Sequence, residues 1–181
     1  MSDQLSVREM QLYDIHYVVD YWLNADQTYL VGMGVDLNKM PEREDLVAYL
    51  TEQISLPYLN KSSYALIWEL NQIPVGHCNV DKIDYGNSAA LHLHFWNIEN
   101  RRMRQGTPFL KLSLPYFFKN LKLKSIYSEP FFQNVAPHSV LAQAGFECEQ
   151  EYITTPGSLN FEQKVKRWVI ESEKNRVNLA Y

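Results

Sequence analysis

The sequence predicts an α/β (α+β) fold, a mixed and mostly antiparallel central sheet of about seven strands flanked by helices. Three observations carry that expectation. Short runs of strand-like pattern bounded by turn residues recur through the middle of the chain. One such run, Ala89 to Trp96, is followed by an apolar helix-like run from Pro108 and a further strand-like run from Leu123, the order of a parallel crossover. No internal repeat, low-complexity tract or Gly/Ser/Pro-rich linker divides the 181 residues, so residues 1–173 are read as one domain and 174–181 as a polar tail.

Taken in order, Leu5 to Met10 alternates and reads as the first strand. Asp14 is placed to cap a helix with Ile15, Val18, Val19, Trp22 and Leu23 on one face. Thr28 to Met40, which holds Gly32 and Gly34, reads as a loop, and Pro41 opens a second helix through Leu46, Val47, Leu50 and Ile54. Ser63–Leu70 and Pro74–Ile83 read as strands joined by a tight turn at Asn71-Gln72, and Tyr85-Gly86-Asn87 turns the chain into Ala89–Trp96. The next helix runs from Pro108 to about Leu121, capped by Thr107 and bent at Pro115. Leu123–Glu129 is a strand, Pro137 starts a short helix that Gly145 ends in a left-handed cap, and Phe146–Thr154 and Gln163–Ile170 are the last strands.

Composition narrows the function. A hydrophobic fraction of 46% and a charged fraction of 21% are globular values, and a net charge of −4 argues against a nucleic-acid partner. Mild acidity suits a cationic, amine-bearing small molecule. Cys78 and Cys148 lie far apart without metal-ligand spacing, which reads as two reduced, buried thiols and no metal site. No run approaches the length needed to span a bilayer, and Met1-Ser2-Asp3 does not open a signal peptide. The expectation is a soluble cytoplasmic protein, monomer or homodimer, with no membrane partner.

The most informative stretch is Asn100 to Pro108, where Arg101, Arg102 and Arg104 precede a helix start. Such a start presents unpaired backbone N–H groups and a positive dipole end, so the turn reads as a phosphate cradle.

Arg101-Arg102-Met103-Arg104-Gln105-Gly106 resembles the Arg/Gln-x-x-Gly-x-Gly/Ala signature of the Gcn5-related N-acetyltransferase (GNAT) superfamily, departing from it at Arg104. Asn134-x-x-Pro137-x-x-x-Leu141-x-x-x-Gly145-Phe146 is similar to that family's Asn-x-x-Ser…Gly-Phe segment. Leu91-His92-Leu93 and Ser128-Glu129-Pro130 resemble the branch of siderophore-biosynthesis, aminoglycoside 6′-type and ribosomal-protein-type acetyltransferases. The resemblance implies an acyltransferase using acetyl-CoA as co-substrate, without a metal, to acetylate a primary amine of a small molecule or peptide. It places the CoA pyrophosphate on the backbone from Arg102 to Thr107, with Arg101 or Arg104 near a phosphate. It lays the pantetheine arm along Phe95, Trp96 and Ile98, and makes Asn134 a partner of the arm's amide.

An amine must be neutral to attack a thioester, and a histidine titrating near pH 6.5 suits that proton transfer. His92 is the first candidate and His94 shares its strand face. The glutamate many family members carry on this strand is replaced by Ala90. The branch's orienting aspartate falls at Phe131, leaving Glu129 as the substitute, and the tyrosine that often protonates the leaving thiolate falls at Leu141. His77 and Asp81 share a face of the preceding strand and are candidate acceptor-pocket residues, as are Tyr29, Met33, Trp22 and Asp26. Two rival readings stand beside this one: a CoA-binding sensor module with impaired catalysis, favoured by Arg104, Phe131 and Leu141, and an N-acyltransferase of siderophore-type, hydroxylysine-like acceptors.

Overall fold

A computed structural model of the protein describes residues 3–97, 99 and 105–172. Its seven-stranded sheet comprises β1 (Leu5–Glu9), β2 (Ser63–Leu70), β3 (Ile73–Asp84), β4 (Ser88–Phe95), β5 (Ser125–Ser128), β6 (Glu147–Thr154) and β7 (Gln163–Glu171). The spatial order is β1-β2-β3-β4-β5-β7-β6, and every neighbouring pair is antiparallel except β4 with β5. The α-helices among the described residues are α1 (Ile15–Asn24), α2 (Gln27–Gly32), α3 (Arg43–Ser55), α4 (Gly106–Asn120) and α5 (Val135–Ala144). The expected mixed sheet is therefore present, and α4 is the crossover that its one parallel pair requires.

The pleat decides which face each side chain enters. On β2, Leu66 and Trp68 point toward α4 and α5, where they join Cys78, Val80, Leu91, Ile126 and Ile170 from the sheet. The helices answer with Phe109, Leu110, Leu114, Phe117 and Leu141, all fully buried. Trp68 stacks on Phe109 with ring centroids 5.0 Å apart, and its indole N–H donates to Ser113 Oγ at 2.9 Å. Ile67, between Leu66 and Trp68, faces the opposite side and packs with Met10, Ile15, Val18, Val19 and Leu50 under α1 and α3. This second cluster is smaller and leaves room on its side of the sheet for a cavity.

Several local expectations change once the chain is folded. Asp14 precedes α1 but its side chain makes no capping bond. Instead the carboxylate is fully buried, accepts two bonds from the Arg8 guanidinium at 2.6 and 2.8 Å, and accepts the Gln11 N–H. A buried charge needs its partner more than a helix needs a cap. Thr107 is likewise not the cap of α4: Gln105 is, and Thr107 and Pro108 sit in the first turn, where a missing N–H leaves no bond unmade. Pro115 lies inside α4, which continues to Asn120. The loop expected from Thr28 to Met40 contains α2, capped by Asp26, whose carboxylate accepts the Tyr29 N–H at 3.0 Å. Cys148 is exposed on β6 and only Cys78 is buried, where burial pushes its thiol pKa up.

Other turns follow the sequence closely. Asn71 and Gln72 take φ of 53° and 66°, the left-handed pair of a two-residue hairpin. Gly145 ends α5 at φ 98°. Gly76 has a different reason to be glycine: an added Cβ would stand 2.4 Å from the His94 carbonyl oxygen, because β3 and β4 close tightly at that point. Among the described residues, no helix is long and apolar enough to cross a membrane. Residues 173–181, including the whole of the expected polar tail, lie outside the described residues.

Candidate active site

The site grows from the way β4 outruns its neighbour. The β4–β5 ladder pairs Ser88, Ala89 and Ala90 with Ser125, Ile126 and Tyr127, while β4 continues to Phe95. Beyond Ala90 the two strands part, and each face of the extended β4 lines a cavity.

On the α4/α5 face a cavity of about 540 Å³ is lined by Leu93, Phe95 and Trp68 from the sheet, and by Gly106 and Thr107 at the start of α4. Asn134, Pro137, Ser139 and Val140 of the α5 region complete that wall, and Tyr29 and Met33 close the end toward α2. Asn134 makes no side-chain capping bond to α5 and lines the cavity. Both α4 and α5 present their N-terminal turns here, with the unpaired N–H groups that helix starts carry.

On the opposite face a cavity of about 480 Å³ lies between the sheet and α1 and α3. Its floor is the polar face of β3 and β4: His77, Asn79, Asp81, His92 and His94. The register explains the cluster, since His77 pairs with His94, Asn79 with His92 and Asp81 with Ala90 across an antiparallel ladder. Val18, Trp22, Leu46 and Leu50 form an apolar wall, and Asp45 is an exposed carboxylate on its outer side. The β6–β7 connection, Gly157 to Asn160, closes the remaining side. That loop is tied down at several points. Lys82 donates to the Pro156 carbonyl, Lys39 to the Asn160 carbonyl at 2.6 Å, and Asn160 Nδ2 to the Gly34 carbonyl at 2.9 Å. Lys82 holds φ 46° within a register shift between Asp81 and Asp84, so the irregularity that aims Asp81 also anchors the loop.

His92 Nε2 lies 2.9 Å from Asp81 Oδ1. A carboxylate accepts, so Nε2 carries the proton and Nδ1 becomes the basic nitrogen. Burial alone would raise the Asp81 pKa, but the charge of His92, the hydrogen bond from it and the nearby Lys82 outweigh that and hold the carboxyl below its usual range. The expectation that Glu129 orients His92 is corrected. Arg167 holds the Glu129 carboxylate at 2.6 Å, Tyr152 also donates to it, and the carboxylate of the histidine pair is Asp81.

His77 is buried, and its Nδ1 accepts the Trp96 indole N–H at 2.8 Å. Burial, with the charge of His92 adding to it, lowers its pKa to about 3. His77 is thus neutral, its ring stacked on His94 with centroids 4.6 Å apart. A stability consequence follows from the sign. Below pH 6.5 the unfolded chain protonates this histidine and the folded one does not, so stability falls as pH drops from about 6.5 toward 3, by up to about 1.4 kcal/mol per pH unit. Urea denaturation of wild type and His77→Gln at pH 7 and pH 5 should give a smaller acid loss in the variant.

The other expected site residues divide clearly. Phe95, Gly106, Thr107 and Asn134 line the cavity on the α4/α5 face, and Met33, His94 and Trp22 line the one on the opposite face. Met33 lines both cavities. Tyr29, expected on the acceptor side, faces the α4/α5 cavity instead. The Trp96 ring turns to the α1 face, stacking on Tyr17 at 5.0 Å and donating to His77, so any contact of this residue with a chain laid along β4 would be through its backbone. The Gln105 amide donates to Asp3 at 3.2 Å. Ile98, Arg101, Arg102, Met103 and Arg104 lie outside the described residues. Leu141 is fully buried in the core. Asn79, Asp45 and the Gly157–Asn160 loop were not anticipated. Asn79 had a signal, lying midway between His77 and Asp81 on one strand face, whereas Asp45 and the loop arrive only by tertiary packing.

No protein-family model matches this chain, and no curated protein matches it in sequence. Solved structures do match. Spermidine N-acetyltransferase from Vibrio cholerae, in complex with CoA and spermine, superposes with a TM-score of 0.77 over 96% of this chain and 98% of that one, at 17% identity. The aminoglycoside acetyltransferase AAC(6')-Ib in complex with coenzyme A gives a TM-score of 0.71 over 98% of this chain and 100% of that one, at 15% identity. The fold is the one these N-acetyltransferase structures share, a seven-stranded sheet in the order β1-β2-β3-β4-β5-β7-β6 with one parallel pair. Among the described residues no group of three or more His, Cys, Asp or Glu side chains is arranged to hold a metal ion.

Proposed function

We propose that this chain is an N-acetyltransferase that moves an acetyl group from acetyl-CoA to a primary amine of a small molecule or peptide, by direct transfer in a ternary complex. The observation that carries the reading is the pair of cavities on the two faces of β4, which share Met33 as a common wall. A thioester threaded through one and an amine seated in the other would meet there.

The donor-side cavity suits a pantetheine arm. Its walls are largely apolar, it runs along the parted edge of β4, and Asn134 offers an amide to hydrogen-bond the arm. The start of α4 is the natural place for a pyrophosphate. The acceptor-side cavity suits an amine, because Asp81 and Asp45 supply negative charge beside apolar packing for the rest of the molecule. His92 takes the ammonium proton on Nδ1 while Asp81 fixes its tautomer. Positioning supplies much of the remaining rate. Neither Cys78 nor Cys148 lines either cavity, which favours direct transfer over a thiol-bound intermediate.

The test is release of free CoA from acetyl-CoA with a panel of polyamines, aminoglycosides, aromatic amines and peptides, with the acetylated product identified by mass. Saturable turnover on at least one amine is the expected result. Calorimetric binding of CoA with no turnover on any amine would favour the sensor reading, and absence of CoA binding would overturn both.

A further inference from the structure

We propose that Tyr29 is the acid that protonates the departing CoA thiolate, and that Tyr21 and His94 connect it to the acceptor cavity as a proton relay. The inference rests on the acetyl-transfer reading above and assigns the group that this reading lacks. The helix position where a tyrosine was expected is Leu141, which is sealed in the core. A phenol that meets the sulfur must therefore come from another position.

Tyr29 is the tyrosine lining the donor-side cavity among the described residues. It sits on α2 beside Met33, where the two cavities adjoin. Its hydroxyl lies 3.2 Å from the hydroxyl of Tyr21, and the Tyr21 hydroxyl lies 3.1 Å from His94 Nδ1. Tyr21 and His94 are both buried, and His94 lines the acceptor-side cavity. The chain of contacts thus begins in one cavity and ends in the other, passing through the wall between them. Its middle is held from several sides. The Tyr21 hydroxyl also reaches Met33 Sδ at 3.7 Å, its ring packs edge-on to Trp22 and His77, and His77 stacks on His94. His77, its Nδ1 held by the Trp96 indole, stacks on His94 as a neutral ring.

The step balances. His92 first removes one proton from the ammonium and releases it to solvent. The neutral amine attacks, forming the N–C bond, and its nitrogen carries a positive charge in the tetrahedral intermediate. On collapse the C–S bond breaks and its electron pair stays on sulfur. Tyr29 gives its hydroxyl proton to that sulfur, Tyr21 reprotonates Tyr29, and His94 Nδ1–H reprotonates Tyr21. His94 Nε2 then accepts the proton lost by the amide nitrogen. The products are the amide and the free thiol. The protein keeps its charge, with the His94 tautomer exchanged.

The experiment is a double-mutant cycle on the full chain with acetyl-CoA and an amine the wild type acetylates. Tyr29→Phe keeps the ring and should lower kcat about 10²-fold, with the KM for acetyl-CoA within about twofold of wild type. Tyr21→Phe should cost less, about tenfold, because Tyr29 can still be reprotonated by water. The double variant should be no slower than Tyr29→Phe, since Tyr21 acts only through Tyr29. Melting temperatures close to wild type would exclude misfolding. An unchanged kcat in Tyr29→Phe, a rise in KM at constant kcat, or losses that multiply in the double variant would overturn the relay. Failure of the wild type to acetylate any amine would instead overturn the parent reading, so the two failures are separable.

Discussion

His92→Ala should lower kcat about 10²- to 10³-fold on any amine this chain acetylates, the usual contribution of a positioned proton acceptor. Asp81→Asn should cost roughly tenfold, since the ring keeps its basic nitrogen but loses the group that fixes its tautomer. The carboxylate sits 2.9 Å from Nε2 and stays ionised well below neutrality, so the pair is set throughout the working range. Glu129→Gln is the control. Its carboxylate already serves Arg167 and Tyr152, and its loss should affect stability before rate. A pH–rate profile of His92→Ala that overlays the wild type would remove His92 from the mechanism.

The largest stability effect is expected at Trp68. This residue has no exposed surface, stacks on Phe109, meets Phe95 at 5.0 Å and hydrogen-bonds Ser113. Trp68→Ala should cost about 3–5 kcal/mol, a large share of the roughly 5–15 kcal/mol that stabilises a typical domain. It would also open the donor-side cavity from beneath, because Trp68 forms part of that wall. Trp68→Phe retains the stacking and should cost only about 1–1.5 kcal/mol, much of it the lost indole hydrogen bond. Ser113 still donates to the Phe109 carbonyl at 2.9 Å, so no buried hydroxyl is stranded. Urea midpoints of the two variants measure the difference. A Trp68→Ala midpoint close to that of Trp68→Phe would mean that the stack contributes little.

Legibility from the sequence tracked how local each decision was. Ser63–Leu70 was placed to the residue, and the Asn71-Gln72 and Gly145 turns were recognised, because alternation and backbone handedness are written in neighbouring residues. Helix starts are less legible. Gln105 caps α4 in place of Thr107, and Asp14 abandons its cap for Arg8, a residue on another element. The short helix α2 escaped notice because six residues carry too little periodicity, and its only signal was Asp26 as an N-cap.

The sequence by itself determined the sheet, its crossover at α4, the two histidines of β4 and the helix start that faces the α4/α5 cavity. Pleat and period fix those within a few residues of chain. Only the tertiary structure decided which groups those histidines meet. Asp81 reaches His92 through the β3–β4 register, Tyr21 reaches His94 across 73 residues, and Asn160 comes to Gly34 across 126. Such pairings depend on how strands and loops pack in three dimensions, and a carboxylate or hydroxyl is matched to its partner by distance in space rather than by spacing along the chain.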